Sequence, residues 1–185
     1  MAWKKALLIS CGIILLTAGT LLSMGRFAFC KCGVVALWNG DIWSDQNSQQ
    51  FTDPYTFTHI THGMAFYGLM WLVAGRWPVP ARMAAAAALE AVWEIVENTN
   101  FAIERYREAT ISLDYYGDSV INSAGDIGAM MLGFWIASRL PARITLVAAV
   151  LLEAVLLLTI RDSLLLNIIM LFYPLEAIKR WQMHL

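Results

Sequence analysis

The stretch Glu90–Asp126, EAVWEIVENTNFAIERYREATISLDYYGDSVINSAGD, decides how this chain is read. It begins in an apolar helical pattern, crosses a polar segment and ends in a second apolar helical pattern. Glu90, Glu94 and Glu97 are spaced i, i+4, i+7, so they share one stripe of a helix. Asp118, Asn122 and Asp126, at i, i+4, i+8, form a second stripe. Their neighbours are Ala, Val, Ile, Trp, Met and Gly. Rows of acids on apolar helices are destabilising unless something compensates them, and that compensation is the lead to function.

Composition sets the class. The 185 residues are 59% hydrophobic and 15% charged, with a mean hydropathy of +0.58. This fits an all-α, polytopic membrane protein, not a soluble domain. A net charge of −1 offers no basic surface for nucleic acid. Three cysteines without a CxxC pair exclude zinc-ribbon and thioredoxin signatures. Eight Trp and six Tyr suit anchoring at two membrane interfaces.

Outward from the opening stretch, the pattern predicts a bundle of about six transmembrane helices in one membrane domain over residues 1–185. Lys4 and Lys5 precede the apolar run Ala6–Leu22, which is long for a signal peptide and lacks an A-x-A site, so it reads as a retained first helix. Met24–Asp53 reads as a polar loop lying along the interface. Its Cys30 and Cys32 would make a strained ring if joined; unpaired thiols or one intermolecular bond are the alternatives. Thr52, Asp53 and Pro54 signal the start of a second helix running to Ala74, with His59 and His62 on one face and Gly63 and Gly68 permitting close approach. A third helix covers Pro80 to Glu97, a polar loop Asn98–Gly117, a fourth helix Asp118–Ser138 and a fifth Ile144–Ile160. The sixth segment, Ser163 to Ala177, contains Pro174 and reaches roughly 23 Å at helical rise, short enough to be tilted, broken or re-entrant.

Basic residues orient the bundle. With both termini in the cytoplasm, Lys4, Lys5, Arg76, Arg82, Arg139, Arg143, Lys179 and Arg180 fall inside, on short segments. Arg26, Lys31, Arg105, Arg107 and Arg161 fall outside. The outer ends of helices two, three and four then carry His59 and His62, Glu94 and Glu97, and Asp118 and Asn122, with Glu90 and Asp126 deeper. The expectation is one extracytoplasmic-facing cavity around His62, Glu94, Asp118 and Asn122.

Charging Glu90, Glu94 and Asp126 without partners inside a membrane would cost roughly 8–10 kcal/mol on the insertion scale, comparable to the whole stability of a domain. These acids are therefore protonated, paired with arginine, hydrated or bound to a cation. A purely structural account pairs them with Arg105, Arg107 and Arg161, but three arginines are too few. A metal account takes His59, His62, Glu94, Asp118 and Asp126 as ligands, a donor set that suits zinc, manganese or iron. No E-x-x-H pair occurs, and HxxH gains weight only from the acid rows. An ion path is the third account, although the inner half lacks polar residues to complete it. No nucleophile elbow or phosphate loop is present.

The run EAVWEIVENTNFAIERYREATISLDYYGDSVINSAGDIGAMMLGF, with THITHGMAFYGLMWL before it and IRDSLLLNIIMLFYPLEAIKRWQ after it, resembles an uncharacterised family of bacterial inner-membrane proteins. More loosely, His62 with GMAFYG, then Glu94, then Asp118-x-x-x-Asn122 with Gly125, Gly128 and Gly133, is similar to the pattern of VanZ-like membrane proteins, which are associated with glycopeptide tolerance at the cell envelope. The resemblance implies a bacterial plasma-membrane location among lipids and supplies no activity or protein partner. The functional expectation is metal-assisted hydrolysis or transfer on a lipid or isoprenoid headgroup. Glu94, Glu97 and Asp118 would be acid/base groups, Asn122 a positioning group, and Arg105, Arg107 and Arg161 a phosphate clamp. An ion-coupled carrier and a non-enzymatic envelope or assembly factor are the alternatives.

Overall fold

Small caps and prolines punctuate the chain where its helices begin. Thr99, Ser119 and Ser163 each accept a hydrogen bond from the backbone N–H three residues on. Prolines 78, 80 and 141 stand at the starts of two further helices, where a missing N–H is no loss. The computed structural model describes residues 1–112 and 114–183. Among these residues there are eight helices and no strand. They are α1 (Trp3–Ser23), α2 (Thr56–Val73), α3 (Val79–Glu97), α4 (Asn100–Ala109), α5 (Val120–Ala137), α6 (Ala142–Thr159), α7 (Leu164–Phe172) and α8 (Glu176–Gln182). Three of them, α1, α5 and α6, are long and apolar enough to cross a membrane, while α2 and α3, of similar length, carry the histidine pair and the Glu90–Glu94–Glu97 row.

The α2–α5 crossing organises the bundle. A Cβ on Gly63 would lie 1.9 Å from the Met130 carbonyl oxygen, and one on Gly133 would lie 2.0 Å from that of Ile60. Glycine on both helices lets the two backbones touch. Gly68, also expected to serve close approach, faces open space. Below the crossing, Ala6, Met70, Met83, Ala86, Ala87, Met130 and Phe134 form an apolar core. Above it, the long segment before α2 is sewn to the start of α5. Ser119 and Val120 donate backbone hydrogen bonds to Ser48 and Phe27, and Gln49 Nε2 donates to the Gly117 carbonyl at 2.7 Å.

Two sequence expectations need correction, and two open alternatives are decided. The segment Asn98–Gly117 is not all loop, because Asn100–Ala109 is helical with Ala102, Ile103, Tyr106 and Ala109 buried on one face. The second helix begins at Thr56, since Asp53 instead accepts the N–H groups of Ser48 and Tyr55 in a turn. Cys30 and Cys32 are joined as a disulfide. The sixth segment is broken at Tyr173–Leu175, around Pro174, into α7 and α8. Lys179 donates to the Glu108 carbonyl and Arg161 to that of Trp181, so α8 lies beside α4 and the α6–α7 turn. Arg26, just past α1, donates to Tyr116 and Asn100 at this same end. The start of α1 and helix α8 therefore lie at opposite ends of the bundle.

Candidate functional site

The two histidines are one helical turn apart on α2, and both reach across to Glu90 on α3. His59 Nδ1 is 2.5 Å and His62 Nδ1 is 3.1 Å from the same oxygen, Glu90 Oε1. An ionised Glu90 accepting from both rings requires Nδ1–H on each, and both Nε2 atoms then keep a lone pair. His59 Nε2 faces Asp126 Oδ2 of α5 at 3.8 Å, while Glu94 Oε1 lies 3.6 Å from His59 Nδ1. His62 stacks on Phe66 and meets Trp93 edge-on, which holds its ring plane.

Around this cluster the carboxylates are short of donors. Glu90 Oε2, both oxygens of Glu94 and Asp126 Oδ1 are buried without a hydrogen-bond partner. Among the described residues, every ion-pair contact of these acids is with a histidine, and no Lys or Arg reaches them. Two triplets, His59–His62–Glu90 and His59–Glu94–Asp126, each bring one donor atom per residue within 4.8 Å of the others. A cavity of about 60 Å³ opens beside them, with space for an ion and a few waters. His59, His62, Glu97, Asp118, Asn122 and Asp126 all line it, and α7 closes one side with Leu164, Ile168 and Leu171.

The second acid stripe divides by depth. Asp126 joins the histidines, whereas Asp118 and Asn122 fasten the cap. Asn98 donates from Nδ2 to Asp118 Oδ2 at 2.8 Å and accepts the Asp118 N–H at 2.7 Å. Tyr115 donates its hydroxyl to Asp118 Oδ1 at 3.0 Å. Burial pushes the Asp118 carboxyl up to about 6, against the lowering effect of those two donors. Asn122 donates to the Gln50 carbonyl at 2.9 Å. Arg105 and Arg107 donate to the carbonyls of Leu171 and Tyr115, both lining residues, and Arg161 bonds Trp181. Glu90, quoted in the first acid row but not counted as a ligand, proves central, because its position on the stripe faces α2. Asn98 and Asp53 lie outside the site expected from sequence; an amide next to the acid row and an acid at a helix start are their only signals.

An all-helical bundle, three of whose helices are long and apolar enough to cross a membrane, with a buried imidazole–carboxylate cluster at one end, fits a membrane protein with a candidate metal site. The chain belongs to the DUF2585 family, described as a protein of unknown function, which matches residues 21–184. The UPF0314 protein of Brucella anthropi is 48% identical over 180 residues, 97% of this chain and 91% of that protein. That of Paracoccus denitrificans is 50% identical over 170 residues, covering 92% and 88% of the two chains. That of Sphingopyxis alaskensis is 45% identical over 180 residues, covering 95% and 93%. These matches carry the resemblance to an uncharacterised bacterial family and do not show the VanZ-like one. No solved structure matches the chain.

Proposed function

We propose that this chain is a plasma-membrane protein that binds a divalent cation at His59, Glu94 and Asp126 and uses it for hydrolysis or transfer at the headgroup of a lipid or isoprenoid substrate. The observation that carries the cation is the set of buried carboxylate oxygens without donors, gathered around imidazoles whose Nδ1 atoms are already engaged. Glu90 fits the part of a carboxylate that fixes ring tautomer and orientation behind a metal ligand. His62 faces the same cavity and completes the donor set, with zinc, manganese or iron as the ions suited to it. Held there, such a cation would supply Lewis-acid polarisation of a phosphoryl oxygen. Glu97 on the cavity wall is the general base in this reading, Asp118 and Asn122 hold that wall in place, and Arg105 and Arg107 meet a phosphate at the rim. The cavity admits a reacting group and not a whole headgroup, and the apolar α7 wall suits a substrate whose remainder lies in the membrane.

In the same reading α1, α2, α3, α5 and α6 cross the membrane, with the N-terminus cytoplasmic and the site and C-terminus outside. Lys4, Lys5, Arg76, Arg82, Arg139 and Arg143 gather at the far end on short segments, while all 14 acids fall in the half that holds the site. Ala86, Ala87, Met130 and Phe134 are fully buried in the apolar core beneath the cluster, which disfavours the carrier alternative.

Metal analysis of the detergent-purified protein tests the proposal. About one divalent ion per chain is expected, with chelator lowering the melting temperature. His59→Ala and Asp126→Asn should lose the ion, Glu90→Gln should weaken it roughly 10–100-fold, and Glu153→Gln should keep it. Wild-type protein without a stoichiometric ion, whose melting ignores chelator and added zinc, manganese, magnesium or calcium, would end the metal reading.

A further inference from the structure

The opposite end of the bundle holds a second unbalanced charge. Arg82, in the first turn of α3, is 6% exposed. Its guanidinium carbon sits over the Tyr67 ring, 5.4 Å from the centroid. Its Nε and Nη1, in the plane, are buried and donate to nothing. Among the described residues no carboxylate lies within ion-pair distance of it, and all the acids of the chain are in the other half. A carboxylic acid can escape burial by taking up a proton, but a guanidinium cannot lose one. An uncompensated buried arginine in an apolar bundle is strongly unfavourable. The surroundings deepen the positive potential. Lys4, Lys5, Arg76, Arg139 and Arg143 share this end, and the start of the α3 dipole points the same way.

We propose that this end of the fold binds a phosphate group, with Arg82 as its buried ligand and Lys4 and Lys5 at the rim. Guanidinium geometry pairs with two phosphate oxygens at once, and the Nε and Nη1 donors of Arg82 have no partner within the protein. The phosphate comes either from an anionic phospholipid in the adjoining leaflet or from free phosphate in the solvent, since both present the same oxygens. The site is separate from the histidine cluster, so it stands or falls independently of the metal reading.

The test uses the full chain, delipidated in uncharged detergent, with melting followed during three titrations: inorganic phosphate, phosphatidylglycerol and, as a phosphate-free lipid, diacylglycerol. At a hundredfold excess over Kd the melting temperature should rise by about 5 °C with at least one phosphate source and not with diacylglycerol. A response to phosphatidylglycerol alone identifies the lipid, and a response to inorganic phosphate alone identifies the free anion. Arg82→Met should abolish the rise and, without phosphate, should melt no lower than wild type because it removes an orphaned charge. No rise with either phosphate source, or an equal rise in Arg82→Met, overturns the proposal. So does an Arg82→Met protein that fails to fold while Arg82→Lys folds without phosphate, since Arg82 would then act structurally.

Discussion

Gly63 of α2 and Gly133 of α5 meet where their helices cross, each lying against the other helix's backbone. This contact sets how far His59 and His62 stand from Asp126, because Gly63 lies one turn beyond His59 and Gly133 two turns beyond Asp126. Gly63→Ala and Gly133→Ala force a methyl into backbone atoms that cannot rotate away. Each should destabilise the protein by about 3 kcal/mol and weaken metal retention. Gly68→Ala, facing open space, should be neutral or stabilising by about 0.5–1 kcal/mol. Melting of the three purified variants checks this, and equal behaviour of all three would refute the tight crossing.

Asn98 is the clasp between the end of α3 and the start of α5. Its amide serves both the Asp118 carboxylate and the Asp118 N–H, and it also donates to the Glu94 carbonyl at 2.9 Å. Asn98→Ala strands buried partners on each side and should cost roughly 2–4 kcal/mol. Thr99→Ala removes only a helix cap and should cost about 1 kcal/mol. A ranking of melting temperatures in the opposite order would show that the clasp carries little.

The proposed arrangement, with the termini on opposite sides of the membrane, gives a labelling pattern. In a background with Cys11, Cys30 and Cys32 replaced by Ser, Glu108→Cys and Ala177→Cys should react with an impermeant maleimide in intact spheroplasts. Arg76→Cys should react only after permeabilisation. If Ala177→Cys behaves like Arg76→Cys, the last segment crosses after all and the six-span arrangement returns.

Asp162 supplies a pH signature outside the crossing helices. Burial pushes its carboxyl from 3.8 up to about 6, although the Ser163 N–H and the Tyr55 hydroxyl favour the ionised form. A folded value above the unfolded one means that stability present below pH 3.8 is lost as the pH rises through 6. Asp162→Asn removes that loss. Its stability relative to wild type should therefore improve by on the order of 3 kcal/mol between pH 4 and pH 7. Asp118 titrates in the same window but is present in both proteins and cancels. A difference that stays flat with pH would contradict the burial of an ionisable Asp162.

Much of this was legible in the sequence, for reasons that also mark the limits. Helical spacing places His59 with His62, and Glu90 with Glu94, whatever surrounds them, so the meeting of α2 and α3 could be anticipated. Spacing cannot say which member of a stripe faces a neighbour and which faces a loop. Asp118 and Asn122 therefore looked like site groups, although their hydrogen bonds go mainly to the cap. The α4 helix was hidden because its charged face, with Glu104, Arg107 and Glu108 exposed, resembles a polar loop when hydropathy is averaged. Pro174 flagged the break in the last segment, but the return of α8 towards Glu108 depends on tertiary bonds that no local pattern encodes.

The chemistry of the His59–Glu90 contact has a consequence for how the protein is made. A chain synthesised from its N-terminus has both imidazoles in place on α2 before Glu90 emerges on α3. The most deeply seated of the α3 carboxylates can be bonded as soon as that hairpin closes, without waiting for α5. Asp126 is made last and enters a pocket where His59 already stands. The order of the residues along the chain thus spares the half-built bundle from holding a bare carboxylate at Glu90 in the membrane while the ribosome finishes.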